Sequence, residues 1–240
     1  MRFPPDPEAA SARGIQALVF DFDGLILDTE YPEFLAWQEV FAAHGAVLEL
    51  KTWAPRIGGA GDGFNPYQLL AEACGRPIDR SAVRQACRAR IRELLASEVI
   101  RPGVKELLAD VRAHGLHIGL ASSSPRSWID EHLDRIGLVG QFDVIRTADD
   151  VRRTKPDPEL YTAAVAALGV RPGNAIALED SQKGVTAAKR AGLYCVAVPN
   201  RLTSLLPMHG ADLVIPSLDG MRLADLVPAA TSQVLQRRGY

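Results

Sequence analysis

The feature that most constrains this chain is a regular alternation of short apolar runs with longer stretches of helical spacing. The apolar runs occupy residues 17–20, 117–121, 144–146, 175–178, 194–198 and 212–215. Helical patterns fill the intervals at 104–114, 128–136, 158–168 and 184–190, and Gly115, Gly137, Gly169 and Gly192 stand where helices should stop. A strand, a helix and a strand in succession demand a parallel pair with the helix packed on the sheet, so near-continuous apolar strands indicate a sheet covered on both faces. The predicted fold is α/β, a doubly wound, Rossmann-like parallel sheet.

One interval breaks the rule. From residue 33 to residue 99 the pattern is helical throughout, with Leu35, Val40 and Phe41, then Leu69 and Leu70, then Val83, Cys87, Ile91, Leu94 and Leu95 at helical spacing. That is too long for one crossover helix, so it predicts an all-helical cap domain inserted between the first and second strands. A chain of 240 residues can bury one sizeable core and a smaller second one. The expected organisation is a discontinuous catalytic core at 15–32 and 100–225, a cap at 33–99, and loose termini at 1–14 and 226–240.

Charge excludes several functions. Lys and Arg total 27 against 29 Asp and Glu, a formal net charge of -2, which supplies no basic field for nucleic acid or an anionic membrane. Cys74, Cys87 and Cys195 are odd in number and lack CxxC spacing, so neither a disulfide framework nor a thiolate metal site is expected. Residues 1–14 contain Pro4, Pro5 and Pro7 among charges rather than an apolar signal core, and no run approaches the roughly 20 apolar residues of a spanning helix. The expectation is a cytoplasmic protein, monomeric by default.

In sheets of this kind ligands sit beyond the carboxyl ends of the strands, near the point where strand order reverses. The first strand runs into Asp21-Phe22-Asp23-Gly24, and alternation directs Asp21 and Asp23 to one side. The second runs into Ser122-Ser123-Ser124-Pro125, the third region leads to Lys155-Pro156-Asp157-Pro158, and the fourth ends in Glu179-Asp180-Ser181. Taken singly, each segment is an ordinary turn, helix cap or solvated loop. Together they place four carboxylates, Asp21, Asp23, Glu179 and Asp180, in one crevice, where they repel one another unless cations neutralise them. Lys155 and a divalent metal are the natural countercharges, and an all-oxygen donor set suits Mg²⁺ where no His/Cys set exists for zinc. An anion sharing oxygens with that metal, such as a phosphate, then fits as the substrate.

These segments resemble the haloacid dehalogenase superfamily, in its phosphatase and phosphomutase branch with a helical cap. The resemblance lies in Asp21-Phe-Asp-Gly-Leu-Ile-Leu-Asp-Thr-Glu30, Ala121-Ser-Ser-Ser-Pro125, Lys155-Pro-Asp-Pro-Glu-Leu-Tyr161 and Leu178-Glu-Asp-Ser-Gln-Lys-Gly184, in that order. It implies that Asp21 is a nucleophile forming an aspartyl-phosphate and that Asp23 is the acid–base group, its main-chain carbonyl also on the metal. It implies side-chain ligation of the metal by Asp21, Asp180 and Glu179. Ser122 and the N–H of Ser123 would hold the transferring phosphoryl oxygens, and Lys155 would tie phosphate to nucleophile. The implied activity is hydrolysis of a small phosphorylated metabolite such as a sugar phosphate.

The closest motif resemblance is to the β-phosphoglucomutase-like group, and a sugar phosphomutase is the alternative activity. Those mutases carry a histidine on the first linker where this chain has Glu33, and a Lys-Gly pair followed by an arginine where this chain reads Arg56-Ile57-Gly58-Gly59-Ala60-Gly61-Asp62-Gly63. The resemblance therefore implies a hydrolase ahead of a mutase. Asp23 and the single cap lysine, Lys51, disfavour carbon–halogen and carbon–phosphorus cleavage. A phospho-aspartate switch is the non-enzyme alternative; receiver domains of that kind lack a helical insertion. The glycine-rich 58–63 segment is either a turn between cap helices or a loop entering the site, with Arg56 and Asp62 as candidate substrate contacts. Trp37, Trp53 and Trp128 are read as packing residues, and the five histidines are given no role.

Overall fold

The computed structural model describes residues 14–58 and 64–226. Six parallel strands form one sheet: β1 (Ala17–Phe20), β2 (His117–Ala121), β3 (Val144–Arg146), β4 (Ala175–Glu179), β5 (Tyr194–Ala197) and β6 (Leu213–Val214). Their order is β3-β2-β1-β4-β5-β6. The helices are α1 (Glu30–Ala43), α2 (Leu50–Trp53), α3 (Pro66–Cys74), α4 (Arg80–Ala96), α5 (Val104–Ala113), α6 (Arg126–Arg135), α7 (Glu159–Ala167) and α8 (Gln182–Arg190). The doubly wound sheet expected from the alternation is what forms, and the four stop glycines all have positive φ, from 69° to 86°.

Period-two alternation gives the two sheet faces different textures. Leu18, Phe20, Ile118, Leu120, Ile176 and Leu178 point to α5 and α6, which answer with Val104, Leu107, Val111, Ile129 and Leu133. On the other face Ala17, Val19, Ala175, Ala177, Cys195 and Ala197 meet α7 and α8 through Leu160, Tyr161, Ala164, Val185 and Ala188. Small residues on that second face let α7 and α8 lie close to the strands. β4 extends one residue beyond the expected run: Glu179 still pairs in register with Ala197, and alternation turns its side chain toward α7 and α8.

Helices α1 to α4 form the insertion, with their own core of Phe34, Trp37, Phe41, Trp53, Leu70, Val83 and Cys87. Trp37 and Trp53 pack as expected, with Tyr67 and Phe64 edge-on against them. Burying side chains of this size contributes roughly 1.5–3 kcal/mol each. Asn65 and Asp79 start α3 and α4 by accepting main-chain N–H bonds of 2.9–3.2 Å. Leu202, from the loop after β5, joins this cluster and seats the cap on the core.

The cap helix begins at Glu30 rather than at residue 33, because the Asp28 carboxylate accepts the Tyr31 N–H at 3.1 Å and opens the first turn there. The outgoing and returning linkers run side by side, joined by a Leu27–Ile100 bridge and by Arg101 N–H to the Ile26 carbonyl at 2.9 Å. Of the expected loose termini, all but Gly14 and Leu226 lie outside the described residues. Among the described residues no helix is long and apolar enough to cross a membrane.

Candidate active site

The order of the sheet reverses between β1 and β4, and the acidic residues stand just beyond the ends of those two strands. Asp21 continues β1, its N–H bonded to the Leu178 carbonyl at 3.0 Å. Oxygens of Asp21, Glu179 and Asp180 lie within 4.8 Å of one another, all buried. Lys155 is only 4% exposed and bonds Asp21 directly, with Glu179 at 2.7 Å. The Tyr161 hydroxyl of α7 donates to the same Glu179 oxygen at 2.6 Å.

Three carboxylates around one ammonium leave an excess of buried negative charge, and the acid strengths follow. Burial pushes Asp21 well above the usual carboxylate range, Lys155 pulls it down, and Glu179 and Asp23 push it up again. Asp180 is raised first by burial, then by Glu30 and Asp21. Burial acts to lower Lys155, but the Asp21 and Glu179 carboxylates outweigh it and hold the ammonium above its ordinary value. The Asn200 amide donates to Asp180 Oδ2 at 2.7 Å, while Asp180 Oδ1 is buried without a partner among the described residues. A buried anionic oxygen left unpaired beside two further carboxylates is the environment a hard divalent cation satisfies, so these residues fit such an ion.

Asp23 faces the other side of the crevice, half-buried, with its carboxylate fully engaged. Thr29 Oγ1 and Trp128 Nε1 donate to Oδ1 at 2.8 and 2.9 Å, and Ser122 Oγ and Ser124 Oγ donate to Oδ2 at 3.1 and 2.7 Å. The Ser122 hydroxyl also accepts the Ser124 N–H at 3.0 Å, so this serine joins Asp23 to the turn at residues 122–125. Ser123 Oγ is buried without a partner among the described residues.

The cap closes over this cluster from the linker side. The Gly58 N–H donates to Glu30 Oε1 at 2.7 Å, and Lys183 of α8 donates to the Pro55 carbonyl at 2.6 Å. A Cβ at Gly58 would stand 2.7 Å from Ser181 Oγ, so only glycine allows the cap loop this close an approach. Arg56 bonds Glu33 at 3.0 Å, which places the two as a pair on the cap. Asp62, together with residues 59–63, lies outside the described residues.

Glu30 carries a prediction. Burial, only partly offset by the Gly58 N–H, raises it to about 8, and its Oε2 has no partner among the described residues. A raised folded-state pKa means that stability is fully present below the unfolded value and is lost as pH rises through about 8. Without divalent metal, Tm should therefore fall between pH 5 and pH 8.5, and Glu30→Gln should flatten that fall by roughly 3–6 °C. Thermal melts of both proteins in EDTA test it; parallel curves would show that Glu30 does not titrate in this range.

The decisive comparison is with the model of the haloacid dehalogenase-like hydrolases, which matches residues 18–198. The chain belongs to that family. Relatives of this hydrolase include "Putative phosphatase YhcW" of Bacillus subtilis (strain 168), 47% identical over 91% of this chain and 99% of its own length. Validoxylamine A 7'-phosphate phosphatase of Streptomyces hygroscopicus subsp. limoneus is 34% identical over 88% of this chain and 98% of its own. Among solved structures, CbbY from Rhodobacter sphaeroides in complex with xylulose-(1,5)bisphosphate superposes with a TM-score of 0.68 at 28% identity, covering 88% of this chain and 99% of that one. The hydrolase is a phosphatase enzyme.

Within the hydrolase, the sequence-predicted residues form two groups: Asp21, Lys155, Glu179 and Asp180 in one, Asp23 and Ser122 in the other, with Ser123 beside the second. Five partners were given no role in the sequence, Thr29 among them as part of the 21–30 segment. Ser124 was in view as part of the serine run. Asn200 was accessible to the strand-end argument, since it stands three residues beyond β5. Tyr161 closes the segment 155–161 but, like Trp128, was given no role, because an aromatic on an amphipathic helix reads as packing. For Trp128 that reading is borne out but incomplete: the ring packs against the core, and its indole N–H also bonds Asp23. Ser181, whose ordinary reading was a helix cap, does cap α8, accepting the Gly184 N–H at 3.1 Å.

Proposed function

We propose that the protein is a Mg²⁺-dependent phosphatase of small phosphate monoesters, sugar phosphates or related polyol phosphates, working through an aspartyl-phosphate on Asp21. The observation that carries this reading is the buried pairing of Asp21 with Lys155, beside the unpartnered Asp180 Oδ1. Asp21 is the group to attack phosphorus, and Lys155 keeps its carboxylate oriented and offsets charge as an anionic phosphoryl group arrives. Asp23 then transfers its proton to the leaving alcohol oxygen as the P–O bond breaks. In the second half it takes a proton from the water that attacks the aspartyl-phosphate, and Asp21 is released as a carboxylate. Ser122 and the Ser123 N–H hold the non-bridging oxygens.

The cation would be held by Asp21, the Asp23 carbonyl, Glu179 and Asp180; Glu179 offers Oε2, whose bonds to Asp180 N–H and Ser181 Oγ are long, at 3.3 Å each. When bound, Mg²⁺ supplies charge neutralisation for the phosphoryl oxygens. The names of the relatives, one a hexitol phosphatase of Escherichia coli (strain K12) and one solved with xylulose-(1,5)bisphosphate, support the substrate class. A mutase would need its phospho-enzyme to exclude water while it waits for sugar, and the Glu33–Arg56 pair stands where the mutase residues are missing.

A phosphate-release screen over hexose phosphates, pentose phosphates, hexitol phosphates, nucleotides and glycolate phosphate, with and without EDTA, tests the proposal. The expected result is Mg²⁺-dependent turnover concentrated on sugar or polyol phosphates. Isomerisation of β-glucose 1-phosphate without net phosphate release would instead establish the mutase. A stable phosphoprotein without turnover would establish the switch.

A further inference from the structure

The Asp23 carboxylate has four donors, one for each lone-pair site of its two oxygens, and they are chemically unequal. Thr29, Ser122 and Ser124 offer hydroxyls, which can rotate and accept. Trp128 offers an indole N–H, which can only donate. A proton on Oδ1 cannot point at that N–H, so the indole keeps one of the two sites of Oδ1 accepting and leaves only the Thr29 side open, whereas both partners of Oδ2 are hydroxyls that can turn to accept.

We propose that Trp128 is a positioning residue for Asp23, fixing its carboxyl so that Oδ1 keeps accepting from the indole and Oδ2, beside Ser122 and Ser124, is the oxygen that exchanges the proton with leaving group and water. The inference rests on the acid–base role proposed for Asp23. Ser122 Oγ on Oδ2 places that oxygen at the turn of residues 122–125, where the phosphoryl group is held in the proposed mechanism. The indole itself is held firmly. Trp128 lies in the first turn of α6, and its ring packs edge-on against His132 with centroids 4.2 Å apart. His132 in turn stacks on Phe22, the residue between the two aspartates, at 6.2 Å. Among the described residues neither His132 nitrogen has a hydrogen-bond partner, and burial holds the ring below its usual pKa, so it behaves as a neutral packing platform. The aromatic stack thus runs from the indole back to the strand-end turn that carries both aspartates.

The test compares two substrates that differ in their need for a proton. p-Nitrophenolate leaves without protonation, whereas the alkoxide of glycerol 3-phosphate does not. Trp128→Phe keeps an aromatic ring and removes the donor. In single-turnover measurements it should slow phosphoryl transfer from glycerol 3-phosphate by about tenfold while changing transfer from p-nitrophenyl phosphate by less than about threefold. Trp128→His, which restores a ring N–H, should recover part of the alkyl-to-aryl ratio. Equal losses on both substrates, or a His variant no better than Phe, would mean that the residue only packs. Should the Phe variant fail to fold, Trp128→Met supplies the donor-free comparison. Asp23→Asn separates the two claims: full activity of that variant on glycerol 3-phosphate overturns the acid–base role of Asp23, whereas its loss together with an unaffected Trp128→Phe overturns the role of Trp128 alone.

Discussion

Asp21→Asn is expected to reduce phosphate release by at least about 10³-fold while leaving the metal-free protein as stable as the parent or more so. The amide is nearly the shape of the carboxylate and can still accept from Lys155, so packing survives. It cannot form the mixed anhydride, so turnover does not. The stability half follows from the balance at the site. Burial opposes the Asp21 charge, Glu179 and Asp23 oppose it further, and Lys155 alone favours it. Removing one negative charge from a buried set with a single ammonium relieves repulsion, whereas an ordinary ion-paired aspartate would lose support. Adding Mg²⁺ should reverse the ranking, because the parent gains a ligand that the variant lacks. Melting curves in EDTA and in excess Mg²⁺, alongside a phosphate-release assay, check both halves. A drop of several degrees in EDTA would mark Asp21 as a structural residue, and retained turnover would remove it from the chemistry.

The sheet was legible because strands covered on both faces leave an unbroken apolar signature, as in residues 17–20 and 175–178. The cap was legible as an interruption of that signature. Its first boundary was not, since what starts α1 at Glu30 is a side-chain bond from Asp28, and an Asp-Thr-Glu triplet reads equally well as loop. At the site, residues that follow a strand declare themselves, because a polar side chain there has no apolar role; Asp21, Ser122 and Asp180 are of this kind. Lys155 is harder to read, since nothing local distinguishes a solvated loop lysine from one buried between two carboxylates. Tyr161 and Trp128 are harder still. Both occupy helix positions where a ring belongs, and only the folded sheet determines that one hydroxyl reaches Glu179 and one indole reaches Asp23.

The same contrast between local rule and tertiary setting predicts the outcome at Gly184. It is the third residue of α8, where replacing glycine by alanine normally favours a helix by about 1 kcal/mol. Here a Cβ would fall 1.9 Å from Glu179 Cδ and 1.9–2.0 Å from its two oxygens. Glu179 cannot retreat, because Tyr161 and Lys155 hold it at 2.6 and 2.7 Å. Overpacking in a closed interior costs roughly 1–3 kcal/mol, which exceeds the helix gain, so Gly184→Ala should destabilise the protein. Activity should fall with stability, since displacing Glu179 withdraws the carboxylate that holds Lys155 against Asp21. Gly173→Ala is the matched control: a Cβ there meets nothing within 4 Å, and the change should stay within about 0.5 kcal/mol. Urea unfolding of both variants gives the stabilities, and adding Glu179→Asp to Gly184→Ala, which shortens the opposing side chain by one methylene, should recover part of the loss. If Gly184→Ala unfolds at the parent's midpoint and keeps its turnover, the Glu179 carboxylate is free to move, and the rigid frame around Lys155 is not what holds Asp21 in place.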